Sequence, residues 1–152
     1  MRTLRDLMIW VERPQNGFLI DTNILSEIQK GDRADIGVKT WYASCNPEDL
    51  FLSVLVVGEI RQGIERLKRR DPVQAERLEQ RLADILSMMQ GRILSITESI
   101  AQRWGSLNSP DPLPVIDGLL AATALEHGLT LVTRNVRDVK RSGVLLLNPF
   151  SS

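Results

Sequence analysis

Four carboxylates stand where they could form one metal site: Asp21, Glu59, Asp117 and Asp138. Asp21 directly follows the apolar run 18–20, and Asp138 lies shortly after a second run at 129–133. Glu59 and Asp117 lie instead within segments of helical pattern. Carboxylates that converge repel one another, and they stay ionised together only if a cation compensates their charge. Their types and positions therefore predict a site for a divalent cation.

Each carboxylate also has a simpler structural interpretation. Asp21 could cap the helix that follows it, and Asn135 could cap a short helix with Asp138 in its first turn. Glu59 could be a boundary glutamate with ordinary surface pairing, and Asp117 could complement a helix dipole. These alternatives stay open for each residue taken alone.

Asp117 carries the strongest signal of the four. The segment 115–125 is apolar on nearly every side, as expected of a buried helix. A charge in such a segment is costly unless it is paired or binds a metal. Gly58 and Gly63 lie close to Glu59 in the chain, which suggests space kept clear beside that carboxylate.

Composition limits both the kind of metal and the kind of partner. Cys45 and His127 are the only cysteine and histidine, so thiolate and imidazole clusters are excluded and a metal must be a hard cation with oxygen ligands. The formal net charge is zero, which offers no overall support for nucleic-acid binding. Basic patches at 61–70 and 134–141 could bind phosphates, although each is also typical of a solvated helix face.

The elements that must position these residues alternate along the chain. Apolar runs predict strands at 18–20, 50–52, 92–96, 129–133 and 144–147. Helices are predicted at 22–30, after Ser53, from Asp71, after Thr97 and from Pro114 to Gly128. Such alternation predicts an α/β fold with a parallel sheet, whose ligands bind at the carboxyl ends of the strands.

The chain is expected to form one domain, residues 17–152, preceded by an extension, residues 1–16. No transmembrane segment and no secretory signal is recognisable, so a cytoplasmic location without membrane association is expected.

Several segments in order resemble a known family, the PIN-domain toxins of type II toxin–antitoxin modules, of the VapC/FitB type. They are FLIDTNILSE (18–27), LFLSVLVVGEIRQGIERL (50–67), RILSI (92–96), QRWG (102–105), PLPVIDGLLAATALEHGLTLVTRNVRDV (112–139) and LLLNPF (145–150). The resemblance covers roughly residues 18–150. Two features depart from it: the extension 1–16 is unexpected, and the loop 105–112 looks short.

The resemblance implies a three-layer α/β/α PIN-like fold with a parallel sheet of about five strands. It implies that Asp21, Glu59, Asp117 and Asp138 surround Mg²⁺, or Mn²⁺. It also implies a metal-dependent endoribonuclease that forms a homodimer. A small cognate antitoxin, similar to VapB or FitA, would neutralise the enzyme by filling its active-site groove.

A mechanism follows as a hypothesis. Asp21 and Asp117 would bind the metal most directly, and Glu59 and Asp138 would complete its surroundings. The cation would supply an acidified water for attack on an RNA phosphate. We expect three polar side chains to orient ligands or waters: Thr22, Asn23 and Asn135. We expect two arginines to contact phosphates: Arg134 and Arg137.

Two other functions fit parts of the sequence. One is a PIN-like domain that binds a partner or RNA without turnover. The other is a receiver-like regulatory domain, which also carries acids at strand ends and binds Mg²⁺. Receiver domains have a pair of acids after the first strand and a lysine after the last, whereas Asp21 is unpaired and no lysine follows residue 140.

Overall fold

The computed structural model describes residues 17–151, so the predicted extension 1–16 lies outside the described residues. Five strands and seven α-helices alternate along them. They are β1 (Phe18–Ile20), α1 (Thr22–Ile28), α2 (Ile36–Ser44), β2 (Leu50–Ser53), α3 (Val54–Leu67), α4 (Pro72–Met88), β3 (Ile93–Leu94), α5 (Glu98–Leu107), α6 (Val115–His127), β4 (Thr130–Val132), α7 (Val136–Val139) and β5 (Leu146–Leu147).

The five strands form one parallel sheet in the order β3-β2-β1-β4-β5. From β1 the chain moves outward to β2 and β3, and it then returns to place β4 on the other side of β1. With right-handed crossovers, α1–α4 cover one face and α5–α7 the other. The predicted three-layer α/β/α architecture is thereby confirmed.

The core lies on both faces of the central strands. Leu19 and Leu131 are fully buried or nearly so in β1 and β4, and Leu120 of α6 is fully buried against them. Parallel strands covered on both faces have continuous apolar sequences, which is why apolar runs predicted them.

The helix boundaries follow the local capping chemistry. The side chains of Ser53, Asp71 and Thr97 accept hydrogen bonds from the backbone N–H groups of the helices that they precede. Gly128 ends α6 with φ of 65°, a left-handed conformation that favours glycine. These predicted boundaries are confirmed.

Other predictions of local structure were wrong. The third strand spans two residues rather than 92–96, the first helix ends at Ile28, and α2 was not predicted. Asn135 precedes α7, but its side chain makes no capping hydrogen bond. Short edge strands bury little, so an apolar run overstates their length.

Within residues 17–151, no helix is both long and apolar enough to cross a membrane.

Candidate active site at the carboxyl ends of the central strands

Asp21 occupies the point where the sheet topology changes direction. It follows β1, and its backbone N–H donates to the carbonyl of Val132 at the end of β4, at 2.9 Å. In open α/β sheets, ligands bind in the crevice at such a switch point. Asp21 is only 5% exposed, so its carboxylate needs partners.

Three donors hold this carboxylate. The backbone N–H of Thr22 donates to Oδ1 at 2.7 Å, and the Thr133 hydroxyl donates to Oδ2 at 2.7 Å. Asn23 Nδ2 lies 3.5 Å from Oδ2, at the limit of a hydrogen bond. Asp21 is therefore a helix cap, as its simpler interpretation stated, and also the most firmly fixed acid of the four.

Glu59 is tied to the same corner by a side-chain contact. The hydroxyl of Thr22 donates to Glu59 Oε1 at 2.7 Å, which joins the start of α1 to the second turn of α3. Thr22 thus positions Glu59 through its side chain and Asp21 through its backbone. A Cβ on Gly58 or Gly63 would meet nothing within 4 Å, so the helix surface beside Glu59 is open.

Asp117 lies near the other three acids. It occupies the first turn of α6, is partly buried, and has its pKa raised from 3.8 to about 6. Burial is the largest cause, followed by the negative charges of Asp21, Asp138 and Glu59. The structure therefore brings all four predicted carboxylates into one electrostatic environment.

Asp138 is the most exposed member of this group. It lies in the first turn of α7, just beyond the end of β4, and its side chain faces solvent. Its charge nevertheless raises the pKa of Asp117.

The excess negative charge is not balanced by ion pairs. Across residues 17–151, the side chains of these four acids take part in no salt bridge; the acidic partners in such bridges are Glu27, Asp32, Glu65, Glu79, Asp111 and Glu126. No three of the described acidic, histidine or cysteine side chains stand close enough to ligate one ion together. A cation bound in this arrangement would take one or two of these carboxylates directly and keep waters in its other positions.

Thr133 is a site residue that the sequence analysis missed. It is 1% exposed, its hydroxyl donates to Asp21, and that oxygen accepts from the backbone N–H of Asn135 at 3.0 Å. The signal that could have found it is a polar residue at the end of the fourth predicted strand, 129–133, close to the position that Asp21 has after the first.

The basic residues predicted to contact phosphates differ in whether their side chains are already paired with a carboxylate. Arg61 donates to both carboxylate oxygens of Glu79, at 2.6 and 2.9 Å, so this residue of the first patch is already paired. Arg134 and Arg137 are exposed near the site. Arg134 stacks on Phe150, and its backbone N–H donates to Asn23 Oδ1 at 3.3 Å.

The model of one family, described as the PIN domain, matches residues 18–142. This chain belongs to the PIN-domain family. The matched range contains all four acids of the candidate site.

Known relatives agree with the assignment. This PIN domain is 34% identical to Toxin FitB of Neisseria gonorrhoeae, over 87% of this chain and 97% of the relative. It is 31% identical to the VapC ribonuclease Y4jK of Sinorhizobium fredii, over 87% and 96% of the two chains.

Solved structures share the fold. The crystal structure of FitAcB from Neisseria gonorrhoeae superposes with a TM-score of 0.80 at 31% identity, covering 89% of this chain and 99% of that one. A toxin–antitoxin complex from Klebsiella pneumoniae gives a TM-score of 0.67 at 28% identity, covering 90% and 100%.

Proposed function

We propose that this PIN domain is a Mg²⁺-dependent endoribonuclease and the toxin of a type II toxin–antitoxin module. The observation that carries the proposal is the grouping of four carboxylates without a salt-bridge partner among residues 17–151. Burial, and then the charges of Asp21, Asp138 and Glu59, raise the pKa of Asp117 to about 6. Such a site favours a bound divalent cation.

Asp21 and Asp117 would hold the metal, with Glu59 and Asp138 acting directly or through waters; Mn²⁺ would fit the same oxygen donors. When bound, the ion supplies an acidified water and neutralises charge on the phosphate and the leaving oxygen. The chain's own part is preorganisation, since Thr22 and Thr133 hold Glu59 and Asp21 in place before any ligand arrives. Asn23 would fix Asp21 and the start of the 134–137 segment.

The substrate and partners are inferred from relatives. One relative is named a ribonuclease and another a toxin, and a similar chain was solved in a toxin–antitoxin complex. RNA as substrate, a VapB- or FitA-like antitoxin, a homodimer and a cytoplasmic location are therefore part of the proposal.

The test compares wild type with Asp117→Asn on RNA, with Mg²⁺ and with EDTA. We expect cleavage only by the wild type with Mg²⁺, and growth arrest on expression of the wild type alone. Asp84→Asn on α4 is the matched control, because it removes an exposed carboxylate outside the site, and it should cleave RNA as the wild type does. Full cleavage by Asp117→Asn would refute the site assignment.

The same assay separates the rival without turnover. A PIN-like domain that only binds would retain RNA without cleaving it under any metal condition. The strand order β3-β2-β1-β4-β5 argues against the receiver-like function, because receiver domains have the order 2-1-3-4-5.

A further inference from the structure

Arg134 is an exposed basic side chain that packs on an aromatic ring. Its guanidinium lies over the ring of Phe150, 4.3 Å from the ring centroid. Its backbone follows Thr133, which binds Asp21, and is anchored on Asn23. The stack therefore lies close to the site along the chain.

The segment 148–151, called here the strap, holds Phe150 in place. It follows β5 and so begins at the same carboxyl edge of the sheet as the four acids. The backbone N–H of Phe150 donates to Asn148 Oδ1 at 3.1 Å, which closes a tight turn. Ser151 donates twice to Asp35, from its N–H at 3.0 Å and from its hydroxyl at 2.6 Å.

The anchor of the strap is the start of α2. The Asp35 carboxylate that binds Ser151 also accepts from the N–H of Val38, so one side chain caps the helix and holds the strap. A Cβ at Gly37 would collide with the backbone carbonyl of Pro149, so the strap and the helix approach at a distance that only glycine permits. Phe150 is therefore held from both sides.

We propose that Phe150 is a positioning residue, which holds the Arg134 guanidinium ready for an RNA phosphate. The inference rests on the proposed function and adds a named recognition element to it. Stacking occupies the face of a guanidinium and leaves its N–H donors free at the edges, where a phosphate binds. Because the net charge is zero, RNA affinity must come from such local, preorganised contacts.

The test measures RNA affinity by fluorescence anisotropy, with a short single-stranded RNA and a salt series. Every variant is made in the Asp117→Asn background, so that the RNA stays intact. Phe150→Leu keeps apolar bulk but removes the stack. Because ordering a free arginine on binding costs affinity, we expect a loss of about 2- to 10-fold. Phe150→Trp keeps a ring and should bind like the parent.

A purely structural role is separated by a double-mutant cycle. Arg134→Ala should reduce the slope of log affinity against log salt by about one. In that background Phe150→Leu should cause no further loss. Arg77→Ala on α4 is the matched control for loss of a charge and should leave the slope unchanged. Arg134→Lys leaves Phe150 intact and keeps the positive charge. Because lysine lacks the planar guanidinium that stacks on the ring, this variant should lose RNA affinity as Phe150→Leu does.

Each outcome decides the inference. Two results would overturn it. One is that Phe150→Leu loses the same RNA affinity whether residue 134 is arginine or alanine. The other is that Phe150→Leu and Arg134→Lys both bind RNA as tightly as the parent. If Phe150→Leu does not fold, the Arg134→Lys result decides alone. If the wild type cleaves RNA but the effects of Phe150→Leu and Arg134→Ala on RNA affinity are independent, only the positioning role of Phe150 is refuted. A wild type that neither binds nor cleaves RNA refutes the proposed function and this inference with it.

Discussion

Asp117→Asn should make the metal-free protein more stable while it abolishes cleavage. The carboxyl of Asp117 has a pKa of about 6 in the folded protein against an ordinary value of 3.8. Folding therefore disfavours its ionised form, because the group is partly buried and faces the charges of Asp21, Asp138 and Glu59. Asparagine has similar shape and carries no charge, so it removes this penalty.

The size of the effect follows from the pKa. A rise from 3.8 to about 6 corresponds to about 3 kcal/mol, at about 1.4 kcal/mol per pKa unit. Asp117 retains contact with solvent, which screens part of the repulsion, so we expect about 1–2 kcal/mol. For a domain of this size, that gain raises the melting temperature by roughly 3–6 °C.

The sign also determines the pH dependence. Because the pKa of Asp117 is higher in the folded state than in the unfolded state, the penalty is absent below pH 3.8 and complete above about pH 6. The free energy of unfolding of Asp117→Asn should therefore exceed that of the wild type by an amount that grows as the pH rises from 3.8 to about 6 and that is constant at higher pH.

Thermal unfolding in EDTA, followed by circular dichroism from pH 4 to pH 8, tests this reasoning. Asp84→Asn is the control and should show no such pH-dependent gain. Mg²⁺ should raise the melting temperature of the wild type more than that of Asp117→Asn, because the ion relieves the same repulsion. A variant that is less stable than wild type at pH 7.5 in EDTA, or a gain that does not vary with pH, would refute the electrostatic argument.

Two further predictions concern other contacts of the site and the core. Thr133→Val removes a buried hydrogen bond to the Asp21 carboxylate, so the free energy of unfolding should fall by about 1.5–3 kcal/mol and the RNA cleavage rate should fall with it. Thr133→Ser keeps the hydroxyl and should restore both. A fully active valine variant would contradict the role of the hydroxyl. Gly118→Ala would place a Cβ 3.2 Å from Trp104, and this overpacking costs about 1–3 kcal/mol against a helix-propensity gain of about 1 kcal/mol, so urea unfolding should show a net loss of up to about 2 kcal/mol. Gly58→Ala, whose Cβ meets nothing within 4 Å, should instead gain up to about 1 kcal/mol, and equal effects of the two alanines would contradict the packing argument.

Much of the fold could be predicted because its signals are local. Apolar runs marked the three central strands, and Ser53, Asp71, Thr97 and Gly128 marked helix ends by chemistry that depends on neighbours in the chain. The edge strands were predicted too long because they are short and only partly buried, and α2 was not predicted. Asp35 caps α2 through the nearby N–H of Val38, but its contact with Ser151, 116 positions later, is one that the sequence does not show.

The four acids of the candidate site were named from the sequence, whereas Thr133 and the contacts that hold each acid were not. The sequence by itself determined which acids were available, that a metal would need oxygen ligands, and that Asp117 was a charge in an apolar helix. The inclusion of Glu59 and Asp138 depended more heavily on the family resemblance. Assignment of the metal to these residues remains a prediction.

Only the tertiary structure decided how these groups are held. The return of the chain from β3 to β4 places Thr133 beside Asp21, 112 positions apart in sequence, and the packing of α1 against α3 lets Thr22 bind Glu59. The strap brings Phe150 under Arg134 in the same way. A single chain without an alignment carries no record of which polar groups meet across such distances, since the pairing is set by strand order and helix packing. The four carboxylates could thus be named from the sequence, whereas their supports, Thr22, Thr133 and Phe150, became visible only in the folded molecule.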